Sequence, residues 1–296
     1  MIGYYTNLGL LDHAVERCLS LNNIERLVIF LPRTNKYIEE DVKIKLNRLV
    51  NLKVDIVVHK NFVIDSFKFY KILRKLDTIY FDDFSGKDWL AILLLFRRTK
   101  ILFLHDVNPH LGERRTFDLL KPLFYFCFKR IHLCSNFSYL IFNSGYKFLK
   151  SKTTLSPLPI YEYSIYGFSD PRIVLPEKYV LIFGRISIYK GIENFLQNYD
   201  HSLPIIIVGR GYRIDHYNVT QVNDFVPVSE LNTYIVKSSI VILPYLEATQ
   251  SGVLSVLRGF PNVRVAIREI PAFKGTETSA NWFFYKDNEL SDLLNS

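Results

Sequence analysis

The chain has little cysteine and no long apolar segment, and both shortages exclude classes of protein. Its 296 residues include three cysteines, Cys18, Cys127 and Cys134, whose spacing fits neither a metal motif nor a disulfide framework. Free, buried thiols suit a reducing compartment. The longest uninterrupted apolar run, residues 89–96, is far short of the roughly 20 residues that a membrane-spanning helix needs. The first residues lack the cationic flank and apolar run of a signal peptide. We therefore expect a cytoplasmic protein with no transmembrane helix.

Positive charge is in excess, because 37 lysines and arginines face 29 acids and leave a formal net charge of +8. Such a charge suits nucleic acid, an anionic membrane or phosphorylated substrates as partners. The sequence contains no helix-turn-helix signature, no zinc-finger spacing and no aromatic RNP motif. We therefore expect no nucleic-acid partner.

Residues 117–131 combine apolar and basic side chains in a pattern that predicts a helix. One face of this helix would carry Leu120, Phe124, Cys127 and Ile131. The cations around it are Arg114, Arg115, Lys121, Lys129 and Arg130. Two interpretations stay open: a helix lying at an anionic membrane surface, and a core helix packed on a sheet.

Short apolar runs alternate with helical patterns along most of the chain. This alternation predicts parallel sheets with helices on both faces. The run at residues 139–142 is predicted as one of these strands. A proline-bearing stretch without helical period then interrupts the alternation. We expect an α/β protein with two Rossmann-like, doubly wound domains, residues 1–160 and 178–296, joined by a linker at 161–177.

A strand-to-helix turn in the second half carries two cations beside glycines. The apolar run 179–183 is followed by Gly184 and Arg185, and Lys190 precedes Gly191 at the start of a helical pattern. Open α/β sheets bind ligands at such turns, where arginine can hold phosphate in a bidentate manner and lysine adds a point charge. Arg185 and Lys190 are therefore predicted to bind phosphate groups of a ligand.

Two further glycine-bearing turns follow predicted strands in the same half. The first is the Gly-x-Gly pair that begins at Gly209. The second contains Thr249, Gln250, Ser251 and Gly252, whose short polar groups and backbone can cradle a phosphate or a sugar. The same residues also satisfy a helix N-cap. Glu247 is interpreted either as an acceptor for sugar hydroxyls or as a solvated loop residue.

The first half has its own polar turns after predicted strands. His105, Asp106 and His110 lie in one loop, where histidine can hydrogen-bond a sugar or an acceptor. We predict His105 to be catalytic. The other residues predicted for the acceptor side are Asn7, Gly9, Asp106, His110 and Ser144. Two histidines and an aspartate are also metal-ligand types, but the sequence offers no further ligand cluster, so we expect no metal.

The order of these motifs resembles a known family. FGR-x4-KG, VGxG, LPY-x2-ATQSG and then Gly259-Phe260-Pro261 are similar to the nucleotide-sugar half of the family 4 retaining glycosyltransferases, which have the GT-B fold. His105-Asp106-Val107-Asn108-Pro109-His110-Leu111-Gly112 resembles the HD-x2-PH-x-G loop of the acceptor half in a polysaccharide-building branch.

This resemblance implies two Rossmann-like domains facing a central cleft, and a retaining, metal-independent hexosyltransferase. In such an enzyme Arg185 and Lys190 would bind the diphosphate and be catalytic, and Gly184 and Gly209 would bind the donor. The donor would be a nucleotide-diphosphate sugar, with UDP expected rather than GDP, used as a co-substrate without any cofactor. The acceptor would be a glycan or a lipid-linked oligosaccharide in surface polysaccharide biosynthesis. A lipid-linked acceptor suits a peripheral protein on the inner face of the cell membrane.

The sequence departs from the family pattern at one acidic position. The wider family places two glutamates eight positions apart, but counting from Glu247 reaches Ser255, and aligning on Gly252 pairs Thr249 with Leu257. The second acid is absent in either alignment, which puts the ribose contact in doubt. A non-catalytic GT-B partner subunit of a glycosyltransferase complex is therefore the alternative.

Overall fold

The structure, a computed structural model, describes residues 1–21, 26–33, 36–60, 65, 68–83, 98–108, 111, 121–276, 279–286 and 289. The chain forms two compact units. The first contains residues 1–109 and 114–159, and the second contains residues 110–113 and 160–296.

The first unit is built on a seven-stranded parallel sheet with the strand order β3-β2-β1-β4-β5-β6-β7. Its strands are β1 (Ile2–Tyr5), β2 (Leu27–Pro32), β3 (Val54–His59), β4 (Thr78–Asp82), β5 (Thr99–Leu104), β6 (Arg130–Leu133) and β7 (Thr153–Leu155). Its described helices are α1 (Leu11–Ser20), α2 (Lys36–Leu46), α3 (Tyr70–Leu73), α4 (Lys121–Tyr125) and α5 (Asn136–Gly145). Short 3-10 helices span Leu8–Leu10, Asn47–Leu49 and Lys147–Lys152.

The second unit has a six-stranded parallel sheet with the order β10-β9-β8-β11-β12-β13. Its strands are β8 (Val180–Phe183), β9 (Ile205–Val208), β10 (Val219–Val222), β11 (Ile240–Leu243), β12 (Val265–Arg268) and β13 (Trp282–Tyr285). Its described helices are α6 (Ile192–Gln197), α7 (Val228–Lys237) and α8 (Gly252–Leu257), with 3-10 helices at Tyr163–Tyr166, Ile188–Lys190 and Pro271–Phe273.

Hydrophobic periodicity explains where these elements form. Strands β8, β9 and β11 are continuous runs of Val, Ile, Leu and Phe, and every one of their residues is buried, as in parallel strands covered on both faces. Helix α1 buries Leu11, Ala14, Val15 and Cys18, a spacing that lines one helical face. The predicted α/β class is confirmed.

The run at residues 139–142 is a helix, so its prediction as a strand was wrong. It lies inside α5, where the Ser135 hydroxyl caps the helix by accepting a hydrogen bond from the Ser138 backbone N–H at 3.0 Å. Ser138 and Phe142, four residues apart, are the buried residues of the helix. An apolar run this short fits either a buried strand or a buried helix face. The Ser135 cap favours the helix.

The predicted helix over residues 117–131 is also wrong in extent. Its described part contains only α4, and strand β6 begins at Arg130 and places Ile131 in the core. Phe124 and Cys127 are half-buried and pack against that core. Arg114, Arg115 and Leu120 lie outside the described residues.

The predicted linker, residues 161–177, packs on helix α7. The Asn232 side chain donates hydrogen bonds to the carbonyl oxygens of Tyr163 at 2.6 Å and Gly167 at 2.8 Å. The Thr233 hydroxyl donates to the carbonyl oxygen of Ser169 at 2.7 Å. These bonds fix part of the connecting segment to the second unit.

No helix in the described part of the chain is long and apolar enough to span a bilayer. The apolar run at residues 89–96 lies outside that part.

Candidate functional site

The second sheet brings two of the predicted turns together. Strand β8 lies between β9 and β11. The strands that follow β8 in the sequence therefore extend the sheet first on one side of β8, through β9 and β10, and then on the other side, through β11, β12 and β13. In open α/β sheets the carboxyl ends of the strands at this switch point form the ligand crevice. The turns that follow β8 and β11 are residues 184–191 and 244–251, and they carry most of the residues predicted to bind the donor.

Lys190 is held inside the turn after β8. Its side chain is buried, its Nζ donates a hydrogen bond to the Phe183 carbonyl oxygen at 2.9 Å, and it lies 5.0 Å from the centre of the Tyr245 ring. Burial, aided by the charge of Arg185, lowers the pKa of Lys190 to about 8. The ammonium is thus positioned by the fold and remains mostly charged at neutral pH.

Arg185 is the exposed cation of the same turn. Its guanidinium lies 5.7 Å from the centre of the Tyr189 ring, a cation–π distance. Arg185 and Lys190 therefore place one exposed and one buried positive charge at the end of a single strand. Two cations at such a strand end suit the binding of an anionic group.

Glycines allow the turns of this sheet to touch through their backbones. Gly209 has φ 139°, and a Cβ there would clash with the carbonyl oxygen of Gly184. A Cβ on Gly211 would clash with the carbonyl oxygen of Ile186, to which Gly211 is joined by an isolated β-bridge. Close backbone packing therefore accounts for the Gly-x-Gly pair, of which Gly209 was predicted to bind the donor.

The turn after β11 contains a buried polar group with no partner. The Gln250 Oε1 atom is buried, and no described residue donates a hydrogen bond to it. Ser251 caps α8, since its hydroxyl accepts from the Leu254 N–H at 3.4 Å. Thr249 is buried and Gly252 is half-buried beside it.

Glu247 is exposed in the same turn. Its carboxylate accepts a hydrogen bond from the backbone N–H of Leu111, which belongs to the same compact unit.

In the first unit the polar centre is Asp82, at the carboxyl end of β4. It accepts hydrogen bonds from the hydroxyls of Tyr4 and Thr6, both at 3.0 Å. The His13 Nδ1 lies 2.6 Å and the His105 Nε2 lies 3.4 Å from its Oδ1. Burial alone would raise the pKa of Asp82, but the two histidines hold it well below its usual range, so the carboxylate is charged.

His105 is enclosed in this cluster. It is 2% exposed, and its Nδ1 lies 3.9 Å from the Cys134 sulfur. Burial by itself would lower the pKa of His105, but Cys134 and Asp82 together raise it above its ordinary value. Both ring nitrogens therefore have partners inside the first unit, whereas the sequence suggested a histidine that faces a ligand.

Nitrogen and sulfur atoms of His13, His105 and Cys134 lie within 4.8 Å of one another, close enough to suggest a metal site. The Nδ1 of His13 is paired with Asp82, and its Nε2 accepts a hydrogen bond from Arg17 at 3.1 Å. A metal would have to displace one of these partners and stand beside the Arg17 charge. The set fits a hydrogen-bonded cluster better than a metal centre.

The remaining predicted residues of the first half are only partly brought together. Asn7 and Gly9 follow β1 and are exposed, and Asp106 follows β5 and is half-buried, so all three lie at the carboxyl edge of the sheet. Ser144 lies in the last turn of α5, where its hydroxyl donates to the Ile141 carbonyl oxygen at 2.8 Å; its predicted position after a strand was wrong. His110 lies outside the described residues.

Sequence reasoning missed Asp82, His13 and Arg17. Asp82 ends an apolar parallel strand, and a carboxylate at that place was an available signal. His13 and Arg17, four residues apart on α1, carried no comparable pattern.

Comparison with known proteins supports the fold. No protein-family model and no curated protein matches the chain. HepE from Anabaena, solved with UDP and glucose, superposes with a TM-score of 0.66 at 13% identity, over 99% of this chain and 88% of that one. A UDP-forming α,α-trehalose-phosphate synthase from Burkholderia vietnamiensis gives 0.63 at 11% identity, over 99% and 90%. A UDP-N-acetylglucosamine 2-epimerase from Rickettsia bellii gives 0.52 at 12%, over 90% and 77%.

These similarities, together with the two parallel sheets of Rossmann order, confirm the predicted fold class. The chain has the two-domain α/β fold of GT-B glycosyltransferases. At such low identity the comparison concerns the fold, and activity has to be argued from the site.

Proposed function

We propose that the protein is a glycosyltransferase that takes a sugar from a nucleotide-diphosphate donor, UDP-linked in preference to GDP-linked. The observation that carries the proposal is the pair of cations at the end of β8, with buried Lys190 held by the Phe183 carbonyl oxygen and Arg185 exposed beside it. HepE, which has the same fold, binds UDP and glucose.

In the proposed reaction the bond between the anomeric carbon of the sugar and the diphosphate oxygen breaks. The nucleoside diphosphate leaves with the electron pair. An acceptor hydroxyl forms the new bond to that carbon, and its proton passes to the departing diphosphate oxygen. Arg185 and Lys190 stabilise the negative charge that grows on the leaving oxygen. They do so without a metal ion, and we propose retention of configuration from the family resemblance.

Polar groups of the turn after β11 are assigned to the donor sugar. Gln250 offers a buried acceptor oxygen that no described residue satisfies, and a sugar hydroxyl is a donor of suitable chemistry. Glu247 and Thr249 would add further hydrogen bonds to hydroxyls, and the backbone at Gly252 is open to close approach.

We assign the acceptor to the carboxyl edge of the first sheet, at Asn7, Gly9 and Asp106. His105 is buried against Asp82 and Cys134, so we assign it the task of holding the start of the loop that carries Asp106. We further propose a glycan or lipid-linked oligosaccharide as acceptor, in surface polysaccharide biosynthesis at the inner face of the membrane. The sequence resemblance supports this last step.

A panel of nucleotide sugars tests the donor assignment. We expect one UDP-sugar to raise the melting temperature, because a ligand that binds only the folded state stabilises it by mass action. Incubation with that sugar and candidate acceptors should release UDP and form a glycoside. Release of a 2-epimerised sugar would instead indicate the chemistry named for the Rickettsia bellii neighbour. Binding without any product would favour the non-catalytic partner subunit.

Two variants test the cation pair. Arg185→Ala and Lys190→Met should each lower turnover by about 10²–10³-fold, as is typical when one preorganised group is removed from a developing oxyanion. Lys178→Met and Lys237→Met remove exposed lysines of the same unit and should leave turnover unchanged. Near-normal turnover in both test variants would contradict the assignment of the diphosphate to this position.

A further inference from the structure

We propose that an exposed aromatic and basic surface of the first unit, formed by Phe126, Phe148, Lys147 and Lys150, binds anionic lipid membranes. We call it the Phe126–Phe148 surface. The inference deepens the proposed function, on which it rests for a lipid-linked acceptor, and it names the membrane partner and the residues that meet it.

Two phenylalanines form the apolar part of this surface. Phe126 follows α4 and is 54% exposed, and Phe148, in the 3-10 helix Lys147–Lys152, is 62% exposed. Their rings are stacked, with centroids 5.2 Å apart and planes 6° from parallel. Tyr146, half-buried, meets Phe148 edge-on at 6.2 Å. The rings therefore expose one continuous apolar area to water, and transfer of that area into an apolar phase such as lipid is favourable.

The surrounding structure holds these rings outward. Tyr125 and Phe128, on either side of Phe126, are buried in the core. The Lys152 ammonium donates a hydrogen bond to the Phe126 carbonyl oxygen at 2.9 Å. With its neighbours anchored and its own carbonyl group bonded, Phe126 cannot turn inward without losing core contacts. The exposure is built into the fold at this point.

The chain segment that carries the two rings has charged side chains of a single sign. Residues 119–161 contain no aspartate or glutamate but six cations, against a net charge of +8 for the whole chain. These cations are Lys121, Lys129, Arg130, Lys147, Lys150 and Lys152. Lys147 and Lys150 are exposed on the same 3-10 helix as Phe148. Lysines beside apolar tips complement an anionic lipid headgroup layer over an acyl phase.

The position of the surface leaves the proposed acceptor edge free. Phe126 precedes β6 and Phe148 precedes β7, so both lie at the amino ends of parallel strands. Asn7, Gly9 and Asp106 follow the carboxyl ends of β1 and β5. Lipid contact at the amino edge therefore leaves the carboxyl edge uncovered. A lipid-linked acceptor would reach the carboxyl edge through its glycan chain, which extends from the membrane along the length of the strands.

Single-stranded nucleic acid is the other polyanion that combines with lysines and aromatic rings. Base stacking needs open ring faces, whereas Phe126 and Phe148 cover one face of each other. Ring edges and tips can still enter an acyl layer. The geometry thus favours the membrane.

Vesicle sedimentation with the full chain tests the inference, using vesicles of phosphatidylcholine alone or mixed with phosphatidylglycerol, and without nucleotide sugar. We expect binding to the mixed vesicles only, and weaker binding as salt screens the surface potential. Phe126→Ser with Phe148→Ser should weaken binding more than tenfold. Lys147→Gln with Lys150→Gln should weaken it about tenfold or more, since each lysine near an anionic surface contributes appreciably.

Two matched pairs serve as controls, Phe168→Ser with Tyr217→Ser, and Lys178→Gln with Lys237→Gln. All four residues are exposed in the second unit, and vesicle binding should be unchanged. Thermal unfolding of every variant shows that the fold is intact. Full vesicle binding by folded Phe126→Ser/Phe148→Ser protein, no binding by the wild type, or tight binding to single-stranded RNA in place of vesicles would each overturn the inference. UDP binding is measured separately, so failure of either proposal is visible by itself.

Discussion

Lys190 is a single residue whose protonation would link binding of the proposed diphosphate to pH. Because burial lowers its pKa to about 8, the ammonium loses its charge in the free protein as the pH rises through that value. We expect the affinity for UDP, measured by titration calorimetry, to fall across this range. In Lys190→Met the affinity should be weak and independent of pH there. An unchanged wild-type affinity above pH 8 would contradict contact between Lys190 and the diphosphate.

The same pKa shift affects folding stability in a defined direction. The unfolded chain keeps lysine protonated up to about pH 10.4, whereas the folded protein releases the Lys190 proton at about 8. Between these values the unfolded state binds more protons, so stability rises with pH. In denaturant titrations, the free energy of unfolding of the wild type should therefore rise with pH in this window relative to that of Lys190→Met. Parallel curves for the two proteins would mean that the ammonium is solvated.

Gly191 and Gly275 allow a comparison of backbone strain with steric contact. Both have positive φ, 66° and 73°, but a Cβ on Gly191 would clash with the Pro244 carbonyl oxygen and one on Gly275 meets nothing within 4 Å. Gly275→Ala should destabilise by about 1–2 kcal/mol, the cost of a left-handed conformation. Gly191→Ala should lose clearly more, because the two turns must also separate. Equal losses in urea unfolding would show that the turns adjust freely.

Among the elements, strand β4 connects its neighbours through Asp82. Its carboxylate joins β1 through Tyr4, α1 through His13 and the end of β5 through His105. Asp82→Asn leaves the buried, positively charged His105 without its counter-charge and should destabilise the fold by about 3–5 kcal/mol. Asp55→Asn, which breaks an exposed pair with Arg26 between β2 and β3, should lose less than about 1 kcal/mol.

Acid titration adds a second measurement for the same residue. Asp82 has a lowered pKa, so its stabilising contribution is present above the unfolded-state value of about 4 and disappears as pH falls toward the folded value. Asp82→Asn protein should therefore show a flatter decline below about pH 4 than the wild type. An equal decline of stability with falling pH in both proteins would mean that groups other than Asp82 cause the acid sensitivity.

Helices and strands were predictable where period and length agreed. The four-residue apolar runs of β8, β9 and β11 and the amphipathic face of α1 are visible in the sequence. Helix α5 was not, because its segment YLIF is apolar and aromatic like a strand, and its Ser135 cap was overlooked. Strand β6 was hidden because RIHL continues the apolar spacing of the preceding helix.

The candidate site was predictable only where it is local in sequence. Gly184, Arg185 and Lys190 fall in one turn, so their grouping could be read from spacing. The Asp82 cluster joins residues 69 and 78 positions apart in the chain, and no local pattern indicates such contacts. The burial of His105 likewise depends on Cys134, which lies on a different strand end.

For the molecule as a whole, two units with separate sheets imply that a donor ligand should stabilise them unequally. We expect UDP to slow amide hydrogen exchange in residues 184–191 and 244–251, and in strands β8 and β11 beside them. Exchange in β1, β4 and β5 should change little, since the diphosphate is assigned to the second unit alone. Equal protection of both sheets by UDP would contradict that assignment.

The different burial of the three cysteines also allows the whole protein to be labelled at a chosen position. Cys18 and Cys134 are buried and Cys127 is half-buried, and burial raises the pKa of the Cys18 thiol far above its ordinary value, which makes that thiol inert. An alkylating dye should therefore enter at Cys127 first. Because Cys127 directly follows Phe126, a polarity-sensitive fluorophore at this position would report contact with a vesicle by its emission colour, in an unmutated chain.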